Sequence, residues 1–467
     1  MVRFLEKINE ITDKNAFRIL DGENTFDVTF KDYLKLLGQC AYNLKEQIGD
    51  IQGKKIGIYC NSTYEYTVLL GAIIFSRGVA VPLNIRESID ILGYEIENAD
   101  VEYLIVDNDR LADLNSEITI FSRDELLQDN GNELKLEDFS DEESENDTLI
   151  IFTSGTTGNP KGVVLTVGNL FGREKKLYGK GTPFDSAYGL RNYTNFPFYH
   201  VGGLKAWVLH FENVVTTYLS LNPGNVLTDL VNQEIDVAGV IPATLNLWKK
   251  TLLRGHKERL GNVKLVVTGG APTDLTTVEV FMKNGIQYGQ YYGMTETCGN
   301  ITFNGDCINH LKSVGKADVN AEVVIVDNEV CVKGACMMNR YYNNPEETEK
   351  TIIDGLLHTG DLGYMDEDGY LYITGRKKNL IILSGGENVS PEELEKALYK
   401  NTFIYECKVY GEGDRICADL YTDEEHRESV IEFITDLNTK LPIYKRIYKK
   451  NIQLEPLEKT TSGKIKR

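Results

Sequence analysis

The stretch Phe152-Thr153-Ser154-Gly155-Thr156-Thr157-Gly158-Asn159-Pro160-Lys161-Gly162 constrains this chain more than any other. An apolar run, Leu149 to Phe152, leads into it and reads as a buried strand. A second run, Val163-Val164-Leu165, leads out. Between them stand three glycines, four hydroxyl side chains, a proline and a lysine. Glycines let successive backbone N–H groups turn toward one point, and such concave sets of amides bind anions. Thr153, Ser154, Thr156 and Thr157 add hydroxyl donors, and Lys161 adds a positive charge without a fixed geometry. The guest that fits is a polyphosphate. The common phosphate loop sets its lysine directly between a glycine and a Ser or Thr at the start of a helix. Here Pro160 precedes the lysine and a strand follows, so this loop is of another kind. The alternative is a polar hairpin turn, but such turns use two to five residues.

With 467 residues, 42% hydrophobic and 26% charged, the chain has the composition of a globular protein with large cores. Length alone corresponds to about three domains. A formal charge of −20 argues against nonspecific binding to nucleic acid or a membrane surface, which needs a basic face. Met1 to Lys7 lacks the apolar core of a signal peptide, and the most apolar stretch, Val68 to Phe75, is too short to span a bilayer. The eight cysteines are scattered, with no CxxC pair. They read as reduced packing residues of a cytoplasmic protein, and no zinc site is expected.

Residues 1–140 alternate helix-like and strand-like segments. Phe30 to Ile48 has helical spacing, with Tyr33, Leu36, Leu37 and Tyr42 suited to one face. Lys55 to Tyr59, Val79 to Pro82 and Glu102 to Val106 read as strands, and Glu65 to Ser76 as a buried helix. This alternation predicts a mostly parallel sheet covered by helices. Glu137 to Asp147 reads as an acidic, solvated connector. Val237 to Ile241 and Leu265 to Val267 read as buried strands, and Gly411 to Arg415 as a hairpin turn.

Three further stretches carry chemistry. In Asn195-Phe196-Pro197-Phe198-Tyr199-His200-Val201-Gly202-Gly203 an aromatic cluster precedes a histidine and paired glycines. Phe198, His200 and Gly203 are expected to wall a pocket for a second substrate. The strand ending in Thr268-Gly269-Gly270-Ala271-Pro272 finishes in small residues, which lets a flat ring approach the backbone where ligands of open α/β sheets sit. In Tyr291-Tyr292-Gly293-Met294-Thr295-Glu296-Thr297 the aromatics can stack on a base and Thr295 can bond a phosphate oxygen. Glu296 beside a polyphosphate would repel it, so a bridging Mg²⁺ is the economical explanation.

These residues resemble the adenylate-forming (AMP-binding) superfamily: acyl-CoA and aryl-CoA ligases, adenylation domains and luciferases. TSGTTGNPKG and YGMTET match the family pattern. So do His358-Thr359-Gly360-Asp361-Leu362-Gly363, Gly375-Arg376-Lys377-Lys378-Asn379, Ser384-Gly385-Gly386-Glu387-Asn388-Val389-Ser390-Pro391 and the closing Thr461-Ser462-Gly463-Lys464-Ile465-Lys466-Arg467, in the family's order. YGMTETC is similar to o-succinylbenzoate–CoA ligases, and TTSGKIKR to fatty acyl-CoA synthetases.

The resemblance implies a set of roles. Thr153, Ser154, Gly155, Thr156, Thr157, Gly158 and Lys161 would hold the β- and γ-phosphates of ATP. Gly270, Ala271, Pro272, Tyr291, Tyr292 and Gly293 would contact adenine. Thr295 would meet the α-phosphate, and Glu296 with Thr156 the magnesium. Asp361 and Arg376 suit the ribose hydroxyls and phosphate oxygens. Gly385 and Gly386 would line a path for a pantetheine arm, Asn379 would be the hinge, and Lys464 the catalytic lysine of the first step. The implied fold is α/β: a large N-terminal domain of layered βα sheets, residues 1–378, and a small mobile α+β domain, residues 379–467. The implied reaction is ATP-dependent joining of a carboxylic acid to CoA through an acyl-adenylate. Loading of a carrier protein's phosphopantetheine arm is the enzymatic alternative, and a catalytically silent nucleotide-binding regulator the alternative of another class. Amino-acid-activating relatives commonly place an aspartate near Phe198-Tyr199-His200; its lack here predicts an acid that is not an α-amino acid. The oligomeric state is not legible.

Overall fold

The computed structural model describes residues 6, 11–108, 118–139, 145–153, 159–172, 188–270, 275–384, 387–459 and 465–466. The chain forms two compact units. One comprises residues 1–322 and 332–357, the other 323–331 and 358–467. Length alone had corresponded to about three domains.

Among its described residues the first unit has two large sheets. One runs in the order Arg340–Tyr341, Lys161–Thr166, Asp147–Thr153, Val79–Pro82, Lys55–Tyr59, Tyr103–Val106, Thr119–Ser122. Its centre is parallel, as βα alternation requires, and the Asp147–Thr153/Lys161–Thr166 pair is antiparallel. The other has nine strands. At its middle, Arg191–Thr194, Glu234–Gly239, Asn262–Gly269 and Gln287–Met294 lie parallel, and Gly299–Asn304 returns antiparallel.

The helix Phe30–Ile48 starts where Thr29 accepts from the Asp32 N–H and ends at Gly49 in the left-handed region, φ 81°. Tyr64–Phe75 is apolar all round and every residue from Tyr66 on is buried. Such a helix needs partners on all sides. It finds them in a core that includes Phe17, Tyr33, Leu37, Phe198 and Trp207. No helix among the described residues is long and apolar enough to cross a membrane. All eight cysteines are buried and unbridged.

In the second unit residues 358–365 of the strand Leu356–Met365 pair antiparallel with Leu371–Arg376, and residues 329–331 of the strand Glu329–Lys333 lie on the other side. Further on, Glu406–Glu412, Arg415–Tyr421 and Ile447–Gln453 form a sheet. Val389, Leu394, Leu398, Val430 and Ile434 pack with it, bringing in the helices Pro391–Leu398 and Arg427–Lys440. Gly411 to Arg415 is the expected hairpin turn, with Glu412 opposite Arg415 and Gly413 at φ 58°.

Candidate active site

In the first unit the phosphate-loop stretch connects an antiparallel pair, with Phe152 opposite Gly162 and Thr153 opposite Lys161. A strand follows the loop, as the placement of Pro160 implies. Ser154, Gly155, Thr156, Thr157 and Gly158 lie outside the described residues. At the loop's exit Lys161 pairs with Glu347, and its ammonium stands 5.2 Å from the centre of the Tyr341 ring. Glu347 sits in the first turn of the helix Pro345–Thr351, capped by Asn344. Hydrogen bonds from Lys161, then Lys350, hold its carboxyl below the ordinary range.

Tyr341 carries this set onward. Its hydroxyl donates to Glu296 Oε1 at 2.8 Å. Burial, and then the neighbouring Glu296 charge, push the phenol far above its ordinary range, which keeps it a donor. Glu296 is buried on the short turn Thr295–Thr297. That turn is closed by Cys298 in the left-handed region, φ 50°, and by Thr297 Oγ1 donating to the Gly299 carbonyl at 2.7 Å. A Cβ on Gly293 would lie 2.1 Å from the Gly299 carbonyl oxygen, so only glycine fits. Two stretches 135 residues apart in sequence (296 − 161), Lys161 and Glu296, thus meet through one tyrosine. Sequence reasoning missed both Tyr341 and Glu347.

Beside Glu296, the strand Asn262–Gly269 ends next to Tyr291, with Gly269 opposite it in register. Gly270 turns at φ 78° with nothing within 4 Å of where a Cβ would stand. Tyr291, Tyr292 and Thr295 are half-buried. Small residues and aromatics therefore border one strand end, the arrangement a flat base requires. Ala271 and Pro272 lie outside the described residues.

The aromatic stretch is divided. His200 is half-buried, its ring 4.9 Å from that of Tyr199, just before the helix Val201–Glu212. Phe198 is core: 1% exposed, stacked on Tyr66 at 6.4 Å, its N–H donating to Ser62 Oγ. The helix Tyr64–Phe75, buried from Tyr66 on, needs that partner, which is why Phe198 faces inward. Phe196 is the half-buried aromatic; a Cβ on Gly239 would come 3.1 Å from its ring. Gly203 lies in the first turn of the helix, where a Cβ would be 2.3 Å from the Pro197 carbonyl oxygen, so its glycine serves close packing.

In the second unit Asp361 stands opposite Arg376, whose Nε donates to Asp361 Oδ1 at 2.6 Å. Asp361 is 4% exposed and Arg376 half-buried. Asn379 closes the short turn Lys377–Asn379 and donates to Glu392 Oε1 at 2.6 Å. Gly385, Gly386 and Lys464 lie outside the described residues. Their stems are described: Ile381–Ile382 pairs with Asn388–Val389, and Lys459 pairs with Ile465. Among the described residues no three His, Cys, Asp or Glu side chains cluster as a metal site. Mg²⁺ needs no such cluster, because it is held by one or two carboxylates together with substrate phosphates. Glu296, buried beside the phosphate-loop lysine's partners, fits that pattern.

Comparison with known proteins identifies the family. Residues 5–342 match the AMP-binding enzyme family, and residues 378–467 match the AMP-binding enzyme C-terminal domain. The 2-succinylbenzoate–CoA ligase of Bacillus cereus is 31% identical, with 97% of this chain and 95% of that protein aligned. Two solved structures of the Bacillus subtilis o-succinylbenzoate CoA synthetase are similar at 24% identity. The complex with the acyl-adenylate intermediate has a TM-score of 0.84 and covers 99% of this chain and 96% of that one. The complex with ATP and magnesium ion has a TM-score of 0.82 and covers 99% and 98%. At that identity the solved structures establish the fold. The chain therefore belongs to the AMP-binding enzymes: it is an adenylate-forming, ATP-dependent carboxylic acid–CoA ligase.

Proposed function

We propose that the acid this ligase activates is 2-succinylbenzoate, an aromatic ring bearing a keto-acid arm. The observation that carries the reading is the similarity to 2-succinylbenzoate–CoA ligases along 97% of the chain, at 30–31% identity in three relatives. The half-buried Phe196, whose ring lies against Gly202 and Gly239, and the half-buried His200 offer aromatic surface for such a ring.

The reaction has two steps. The acid's carboxylate oxygen attacks the α-phosphorus of ATP, and the bond to pyrophosphate breaks. The CoA thiol sulfur then attacks the carbonyl of the acyl-adenylate, the C–O bond breaks, and AMP leaves. We assign Lys161 and the loop hydroxyls Thr153, Ser154, Thr156 and Thr157 to the β- and γ-phosphates. Gly270, Tyr291 and Tyr292 take adenine, Thr295 the α-phosphate, and Asp361 with Arg376 the ribose. Glu296, oriented by Tyr341, would hold magnesium, which supplies charge neutralisation at the phosphates. Lys464 joins the first step only, and Gly385 and Gly386 admit the pantetheine arm in the second. The hinge is Asn379, with the domain boundary at 378/379; the C-terminal family match beginning at residue 378 supports that reading, whereas the compact units divide earlier, at 357/358. CoA is favoured over a carrier protein because the chain is itself strongly acidic, a poor match for a second acidic protein. Eight buried, unbridged cysteines accord with a reducing compartment, the cytoplasm.

Thioester formation from ATP, CoA and a panel of acids tests the substrate. We expect kcat/KM for 2-succinylbenzoate to exceed that for benzoate or a medium-chain fatty acid by about a hundredfold or more, the scale of discrimination by a largely apolar pocket. Preference for a fatty acid would remove 2-succinylbenzoate and leave the ligase chemistry standing.

A further inference from the structure

Glu329 is a buried carboxylate to which the proposed reaction assigns no role. It is 5% exposed and accepts three hydrogen bonds: from the Gly360 N–H at 3.0 Å, His358 Nδ1 at 3.1 Å and Lys377 Nζ at 3.0 Å. Burial pushes its carboxyl up, but the bonds from His358, Lys377 and Gly360 outweigh that and hold it below the ordinary range. The donors have a pattern. Gly360 immediately precedes Asp361, and Lys377 immediately follows Arg376. Asp361 and Arg376 are register partners on adjacent strands. One carboxylate therefore grips both strands of that pair, one residue away on each side.

The stretch of strand it grips needs holding. Gly360 lies at φ 72°, a backbone state that relaxes readily when unpinned. Thr359 Oγ1 donates to the Val330 carbonyl at 2.7 Å and accepts from the Asp361 N–H at 3.1 Å, so the strand of Glu329 supplies two anchors to three consecutive residues. Without the Glu329 anchor, the Gly360 N–H would lose its acceptor and the Asp361 carboxylate would lose its aim.

We propose that Glu329 is a positioning residue for nucleotide recognition: by pinning the Gly360 amide and Lys377 it sets the Asp361–Arg376 pair for the two ribose hydroxyls of ATP. The inference rests on the assignment of Asp361 to ribose, and the test separates the two. The readout is the ratio of affinities for ATP and 2′,3′-dideoxy-ATP, measured by calorimetry on the full chain. Loss of a charge-assisted hydrogen bond corresponds to about a ten- to hundredfold change in affinity, so the wild-type ratio is expected in that range. Asp361→Ala should bring it to near one. Glu329→Ala should bring it to within about threefold of one. Glu329→Gln, which keeps the shape and one acceptor oxygen but cannot serve three donors, should fall between. If Glu329→Ala does not fold, the isosteric Glu329→Gln decides alone. A wild-type ratio in either soluble variant overturns the role of Glu329. A wild-type enzyme that does not distinguish the two nucleotides overturns the ribose assignment instead. Adenine affinity is common to both ligands, so a merely structural loss would lower both and leave the ratio unchanged.

Discussion

Tyr341 shows what a single side chain does here. It closes a path from the phosphate-loop lysine to the buried Glu296, and its hydroxyl is a committed donor. Tyr341→Phe should cost about 1–2 kcal/mol of stability, because a buried carboxylate oxygen is left short of a partner. It should also raise the magnesium concentration giving half-maximal rate several-fold, since Glu296 loses its fixed orientation. Thermal unfolding without ligand and a magnesium titration check the two parts; an unchanged magnesium requirement would separate Tyr341 from metal binding. Sequence could name Lys161 and Glu296 because each lies inside a dense local motif. It could not name Tyr341, Glu347 or Glu329. Each is an ordinary residue locally and acquires its place only through a partner 45, 186 or 31 residues away. Phe198 and Phe196 make the same point: both are aromatic, and only the demand of Tyr66 for a stacking partner sorts core from pocket.

At the level of elements, the strands Arg191–Thr194, Glu234–Gly239 and Asn262–Gly269 are tied at their starts by Asp236. It accepts from Arg191 N and Nε at 3.0 Å and from Lys264 Nζ at 2.6 Å. Burial pushes the Asp236 carboxyl up, but the bonds from Arg191 and Lys264 win and bring it down to about 2. A carboxyl lowered on folding contributes stability above its unfolded value, about 3.9, and loses it as pH falls through the folded one. Asp236→Asn should therefore cost about 2 kcal/mol at pH 7, with the gap to wild type closing between about pH 4 and pH 2. Denaturant unfolding at several pH values checks this, and a gap independent of pH would mean the loss is one of packing. The elements themselves were largely legible. Phe30–Ile48 and Lys55–Tyr59 coincide with the spacing, and Tyr64–Phe75 is shifted by one residue from the expected helix. Arg340–Tyr341 was not legible, because a two-residue strand exists only by pairing with Lys161–Thr166, far away in sequence.

For the whole molecule the proposed account is a division of labour between two steps. In that proposal Lys464 would face a carboxylate meeting a phosphate in the first, where an added cation in a water-poor site is worth several kcal/mol. Lys464→Ala should slow adenylate formation about a hundredfold or more, yet make thioester from supplied acyl-adenylate and CoA at near the wild-type rate. Two single-turnover assays decide, and equal losses would remove the two-state scheme. The residue order of the motifs made the family legible in advance. The acid was not, because the stretches around residues 196–203 and 239 proposed to line its pocket carry no charge signature. The most direct test is ATP–pyrophosphate exchange with 2-succinylbenzoate in the absence of CoA. The account predicts acid-dependent exchange that needs no thiol, because the adenylate forms first. Exchange that appears only when CoA is added, or release of ADP and phosphate in place of AMP and pyrophosphate, would contradict it.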